Sequence, residues 1–200
     1  MIKVGVTGTE ETALHHLKVL QALKGFRIAG VWDPAPGAAS RCKKMGLPFF
    51  RHYEELLHNS DVIDLASLQA DHFLLAAKAI KMSKHLFIER PGLSTPEEVL
   101  RLIELSREAG VKVQVNYPER FNPAYHTTLP YLTKPLYIES QRHIAFTGEN
   151  RDIPVVMDLM MHDIDIILSI VKANIRTVHA TGVNVFNGTP DIVNANLEFD

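Results

Sequence analysis

One stretch of this 200-residue chain sets a histidine among acids inside otherwise apolar sequence: Asp158-Leu159-Met160-Met161-His162-Asp163-Ile164-Asp165. On a helix, four-residue spacing puts Asp158 and His162 on one face. A carboxylate there can orient the imidazole and hold its tautomer, and an imidazole that titrates near neutrality can take a proton from an alcohol. Removing hydride from a carbinol needs such a proton acceptor. The same residues also read as a core histidine satisfied by a carboxylate; a metal site from His162, Asp163 and Asp165 is the weaker reading, and no metal is expected.

A second set of residues suits a dinucleotide. Gly8-Thr9-Glu10-Glu11-Thr12-Ala13 falls between an apolar run and a helical period, where a dinucleotide fold offers amides and a helix N-terminus to a pyrophosphate. Gly8 can make the tight turn and Ala13 is small enough for helix-strand packing. Glu10, however, stands where a second glycine normally admits the phosphate, and a carboxylate beside a diphosphate is unfavourable. Asp33 ends the next apolar run, where an acid can accept the adenine-ribose hydroxyls; with no obvious arginine beside it, the residue favours NAD over NADP. Asp33-Pro34 also reads as an ordinary turn start. Ser67-Leu68-Gln69-Ala70-Asp71-His72 and Glu89-Arg90-Pro91 follow two further apolar runs, at the carboxyl ends where open α/β sheets bind ligands.

These residues need a scaffold. Runs rich in Val and Ile (Ile2 to Val6, Phe26 to Trp32, Val62 to Ala66, His85 to Ile88, Val111 to Val115) alternate with segments of helical period: Thr12 to Leu23, Pro36 to Lys44, Tyr53 to His58, Asp71 to Met82 and Pro96 to Ala109. That alternation predicts an α/β fold, a Rossmann doubly wound parallel sheet over residues 1–118. Ser94 or Thr95 caps the last helix and Gly110 closes it. Over residues 119–200 the rhythm changes to a short helix near Asn122 to Tyr131, a strand at Leu136 to Ile144, a surface loop at Gly148 to Asp152, a long helix from Pro154 to Val171 and strands at Thr177 to Val185 and Ile192 to Glu198. This predicts a shortened α+β domain with a mainly antiparallel sheet, whose uncovered last strand invites pairing with another copy unless the domain is incomplete.

Composition narrows the partners. Net charge is −2 with the signs interspersed, so no concentrated positive field exists for nucleic acid, and a small molecule fits better. Cys42 is the single cysteine, no secretory leader or membrane span is apparent, and a cytoplasmic protein is expected.

Taken together, Val4 to Ala13 with His16, Asp33, Ser67 to His72, Glu89-Arg90-Pro91, Glu119-Arg120-Phe121-Asn122-Pro123 and Asp158 to Asp165 resemble the Gfo/Idh/MocA family of NAD(P)-dependent sugar and cyclitol oxidoreductases. Within it, Glu119 to Pro123 and Asp158 to Asp165 are most similar to bacterial members acting on nucleotide-linked amino sugars, the UDP-N-acetylglucosamine 3-dehydrogenase-like branch. The resemblance implies that Glu89 and Asn116 lie near the nicotinamide, Arg120 near a sugar-like substrate, and His162 with Asp158 at the proton transfer. The uncovered last strand, separately, is the ground for expecting a homo-oligomer joined through the C-terminal sheet. Arg90 replaces the family's usual lysine between glutamate and proline; a guanidinium stays charged and can only orient or polarise, leaving acid-base work to His162. Glu10, Arg90 and the short second domain motivate a rival reading, a catalytically impaired relative serving as a binding or regulatory subunit.

Overall fold

The computed structural model describes residues 1–67, 71–90, 95–145, 154–186 and 188–200. The chain divides into two compact units, Met1–Asn116 and Tyr117–Asp200.

In the first unit the Val- and Ile-rich runs become parallel strands: β1 (Ile2–Thr7), β2 (Phe26–Trp32), β3 (Phe49–Phe50), β4 (Val62–Leu65), β5 (His85–Ile88) and β6 (Val113–Val115). They lie in the order β3-β2-β1-β4-β5-β6. Winding reverses between β1 and β4, whose carboxyl ends therefore border the crevice where this topology receives ligands. The crossovers run through α1 (Glu11–Ala22), α2 (Ala38–Lys44), α3 (Tyr53–Asn59), α4 (His72–Lys81) and α5 (Pro96–Ala109). β3 was not anticipated, because two residues are too few to display a period. It pairs with Val31 and Trp32 at the sheet edge.

Local chemistry fixes the helix ends. Asp71 accepts from the Leu74 amide at 3.0 Å to start α4. Thr95 accepts from the Glu98 amide at 3.2 Å while the Glu98 carboxylate reaches back to the Thr95 amide, and Pro96 occupies the first turn of α5. Gly110 ends that helix at φ +66°, a left-handed conformation only glycine adopts without cost. The sheet is buried on both faces. One face packs Leu56, Leu57, Ile63, Leu65, Ile80 and Ile88; the other packs Val4, Val6, Ala13, Leu17, Val31 and Cys42. Alternation along β4 thus sends Ile63 and Leu65 to the first cluster and turns Asp64 toward the side of α1.

The second unit holds a 3-10 turn (Pro118–Phe121), α6 (Pro123–Thr128), another 3-10 turn (Leu129–Tyr131), a π turn (Val156–Met160), α7 (Met161–Ile170) and an antiparallel pair, β7 (Ile175–Val183) with β8 (Ile192–Phe199). The architecture is therefore a six-stranded parallel Rossmann-type sheet plus a two-stranded antiparallel one. The expected strand at Leu136 to Ile144 does not form. Its alternation is present, but residues 135–143 and those of β8 face each other across a groove of about 1070 Å³ instead of pairing. The expected long helix is interrupted by the π turn, which neither proline nor glycine announces. Among the described residues every buried side chain lies in the first unit, and no helix is long and apolar enough to cross a membrane. The loop expected over Gly148 to Asp152 falls outside the described residues.

Candidate functional site

At the carboxyl end of β1 the chain turns sharply at Gly8, φ +94°. A Cβ there would stand 2.9 Å from the Ser67 Cα and 2.6 Å from Glu10 Oε2, so the position demands glycine for both angle and space. The turn feeds α1, whose N-cap residue Glu10 makes no side-chain cap, leaving the first helical amides, from exposed Glu11 onward, without a capping side chain. Glu10 instead folds across the turn: Oε1 accepts from the Ser67 hydroxyl at 3.4 Å, and Oε2 is buried with no hydrogen-bond partner among the described residues. A tight glycine turn followed by an uncapped helix start is a place where anions can bind, and here the Glu10 carboxylate lies in it.

Thr9, buried, donates its hydroxyl proton to Asp33 at the end of β2. Contrary to the sequence expectation, an arginine does stand beside Asp33. Arg41 of α2 donates to Thr9 Oγ1 and places Nη2 3.7 Å from Asp33 Oδ2. The turn over Pro34 to Gly37 brings α2 back over β2, a contact that spacing alone does not reveal. Nearby, Trp32, Pro34, Tyr53, Leu74 and Leu75 line a cavity of about 430 Å³.

On the other side of the switch point sits a charged cluster. His16 of α1 approaches Asp64 Oδ2 with Nδ1 at 2.9 Å and Glu89 Oε2 with Nε2 at 3.3 Å. Asn116 donates to Glu89 Oε2 at 2.6 Å, and the Arg90 amide to Glu89 Oε1 at 3.1 Å, while Arg90 Nε donates to the Asn116 carbonyl at 2.7 Å. Hydrogen bonds from the imidazole to the two carboxylates raise the His16 pKa to about 10, against the pull of burial. Burial works against a charge on Glu89, but bonds from His16, Asn116 and the Arg90 amide outweigh it and hold the carboxyl below its usual range. Burial dominates at Asp64 and pushes it up despite His16. We read the cluster as an imidazolium between two carboxylates, with fixed orientation at Glu89.

The structure thus gathers Gly8, Thr9, Glu10, Ser67, Asp33, Glu89, Arg90 and Asn116 on one sheet edge. His72 is buried and turned inward, its Nε2 against the Ser67 carbonyl, so it is no surface residue. Leu68, Gln69, Pro91 and Ser94 lie outside the described residues. In the second unit Asp158 belongs to the π turn and His162 to the first turn of α7, both half-buried. Arg120 is held by Asp165 through two bonds of 2.6 and 2.8 Å, and Arg142 bridges Asp163 and Glu119. Sequence reasoning missed Asp64, although a carboxylate inside a strand buried on both faces announces a partner. It also left His16 without a role and overlooked Arg41.

This topology and glycine turn define the class of open α/β domains built around a dinucleotide cradle. Residues 2–117 match the family described as "Oxidoreductase family, NAD-binding Rossmann fold", and the chain belongs to that Gfo/Idh/MocA family. It is 28% identical over 200 residues to UDP-N-acetylglucosamine 3-dehydrogenase of Acidithiobacillus ferrooxidans, covering 97% of this chain and 62% of that protein. A solved structure of that enzyme matches with TM-score 0.91 at 27% identity over 100% of this chain and 66% of the other. Inositol 2-dehydrogenase of Paracoccus denitrificans is 28% identical over 83% of this chain and 53% of its own length. For the fold alone, scyllo-inositol dehydrogenase from Lactobacillus casei, solved with NAD(H) and scyllo-inositol, matches with TM-score 0.78 at 16% identity, over 100% of this chain and 66% of that one. The chain spans 62% and 53% of the lengths of these two curated relatives. They are dehydrogenases, and none lends support to the catalytically impaired reading.

Proposed function

We propose that this chain serves an NAD(P)-dependent dehydrogenase that moves a hydride between a nicotinamide cofactor and a hydroxyl of a sugar, nucleotide sugar or cyclitol. One observation carries the reading: the Gly8 turn, the Thr9-Asp33 pair and the Glu89-Asn116 pair converge on the carboxyl edge of the sheet at its switch point. Residues 1–118 would hold the dinucleotide, with the Gly8 turn and the amides of Thr9, Glu10 and Glu11 toward the pyrophosphate, Ser67 beside it, and Glu89 with Asn116 toward the nicotinamide. Asp33 stands at the position where this fold reads the adenine ribose; Arg41 beside it bears on the 2′-phosphorylated form. The bound cofactor supplies the hydride acceptor or donor.

Residues 119–200 contribute the substrate side in this proposal. His162, oriented by Asp158, takes the carbinol proton; Arg90 polarises or orients without exchanging a proton, and Arg120, freed from Asp165, orients substrate oxygens or phosphate. The compartment proposed is cytoplasmic, and the assembly a homo-oligomer through the β7-β8 sheet, on which Val178, Val183 and Ile192 are exposed.

The test is calorimetric titration with NADH and NADPH, followed by turnover with UDP-N-acetylglucosamine and with inositols read by reduced-nicotinamide absorbance. Dinucleotide binding with activity on one substrate class is expected, and His162→Ala should lower kcat by about 10²- to 10⁴-fold while binding of the dinucleotide persists. No binding of either dinucleotide at millimolar concentration would refute the proposal.

A further inference from the structure

The acid expected to receive the adenine ribose is sealed. The Asp33 side chain is 2% exposed. Its Oδ1 accepts from the Ala35 amide at 2.8 Å and its Oδ2 from the Thr9 hydroxyl. What this end of the crevice presents to solvent is the Arg41 guanidinium, 44% exposed. Nε and Nη2 donate to Thr9 Oγ1 at 2.9 and 2.7 Å, and Nη1 donates to the Pro36 carbonyl at 3.3 Å. A guanidinium has more N–H groups than these bonds use, and those left on Nη1 and Nη2 have no acceptor among the described residues.

We infer, building on the dinucleotide reading above, that Arg41 is the specificity-determining residue at the adenine ribose and that the chain takes the 2′-phosphorylated dinucleotide at least as well as the unphosphorylated one. Ribose hydroxyls bind an acid that has free lone pairs and access, and Asp33 is short of both. A 2′-phosphate needs positive charge and outward N–H donors, and Arg41 has both. The guanidinium 3.7 Å from Asp33 also offsets the repulsion that an isolated carboxylate would exert on that phosphate. Guanidinium and phosphate pair through short, charge-assisted bonds, often two at once, so the contribution is large for a single side chain. Thr9 completes the arrangement: as donor to Asp33 and acceptor from Arg41, it fixes the fork at the mouth of the crevice.

The experiment titrates the whole chain with NADPH, NADH and, as probes lacking nicotinamide, adenosine 2′,5′-bisphosphate and 5′-AMP. NADPH should bind at least as tightly as NADH, and the bisphosphate tighter than 5′-AMP. Arg41→Ala should weaken NADPH by at least about tenfold and NADH by less than about threefold. Arg41→Lys, which keeps the charge and loses the planar fork, should fall between; it carries the test if the alanine variant fails to fold. NADPH binding tenfold weaker than NADH in the unaltered chain, or equal losses for both dinucleotides in the variants, overturns the inference while the dehydrogenase reading stands. Binding of neither dinucleotide overturns both.

Discussion

Glu10 is the residue whose chemistry most opposes its position. Its carboxylate lies across the Gly8 turn, one oxygen on Ser67 and the other buried with no hydrogen-bond partner among the described residues. A buried, unsatisfied carboxylate oxygen costs free energy on its own account, and a diphosphate entering the same space would add like-charge repulsion. On the proposed dinucleotide reading, the side chain swings out when the cradle fills. Removing the charge without changing the shape, as in Glu10→Gln, should therefore tighten NADH binding by roughly 5- to 30-fold, corresponding to about 1–2 kcal/mol. Glu10→Gly should do at least as well. Affinities unchanged in calorimetry would mean that the carboxylate leaves at no cost and exerts no repulsion on the bound dinucleotide.

At the scale of elements, the clearest case is α5, whose start is built from Thr95, Pro96 and Glu98 and whose end is set by Gly110. Thr95→Ala leaves the Glu98 amide without its acceptor and should cost about 1 kcal/mol. Urea unfolding should show a lower midpoint at unchanged slope; an unchanged midpoint would show the cap to be dispensable. The same element explains what the sequence makes legible. Capping chemistry and apolar periods are local, so α1 to α5, β1, β2, β4, β5 and β6, and the Gly8 turn can be read directly. Features that depend on pairing or on return of the chain cannot. Phe49–Phe50 becomes a strand only because β2 lies beside it, whereas Leu136 to Ile144 pairs with no strand among the described residues. Arg41 meets Asp33 only once the turn before α2 has folded. Asp64 was legible in principle, as the one acid in Val62-Ile63-Asp64-Leu65.

At the scale of the whole molecule, the His16 cluster joins helix and sheet across the switch point. Its members come from α1, β4 and the segments following β5 and β6, so the protonation of one imidazole bears on how the entire first unit holds together. His16 has its pKa raised from 6.5 to about 10 in the fold. A group bound more tightly to its proton in the folded state stabilises fully below its unfolded pKa and loses that contribution as pH rises through the folded one. Thermal stability should accordingly decline between pH 7 and about 10, by an amount on the order of several degrees. On the acid side the sign reverses: Glu89, held below the usual carboxylate range, contributes at neutrality and loses its contribution as pH falls through its lowered pKa. His16→Gln keeps a side chain able to donate to one carboxylate but carries no charge. Its midpoint should lie below that of the unaltered protein at pH 7 and converge with it near pH 10. Because lysines, tyrosines and Cys42 titrate in both proteins alike, the difference between the two melting curves isolates the imidazole. A constant difference from pH 7 to 10 would show that His16 packs between Asp64 and Glu89 as a neutral ring, and that the two carboxylates are reconciled by some other charge.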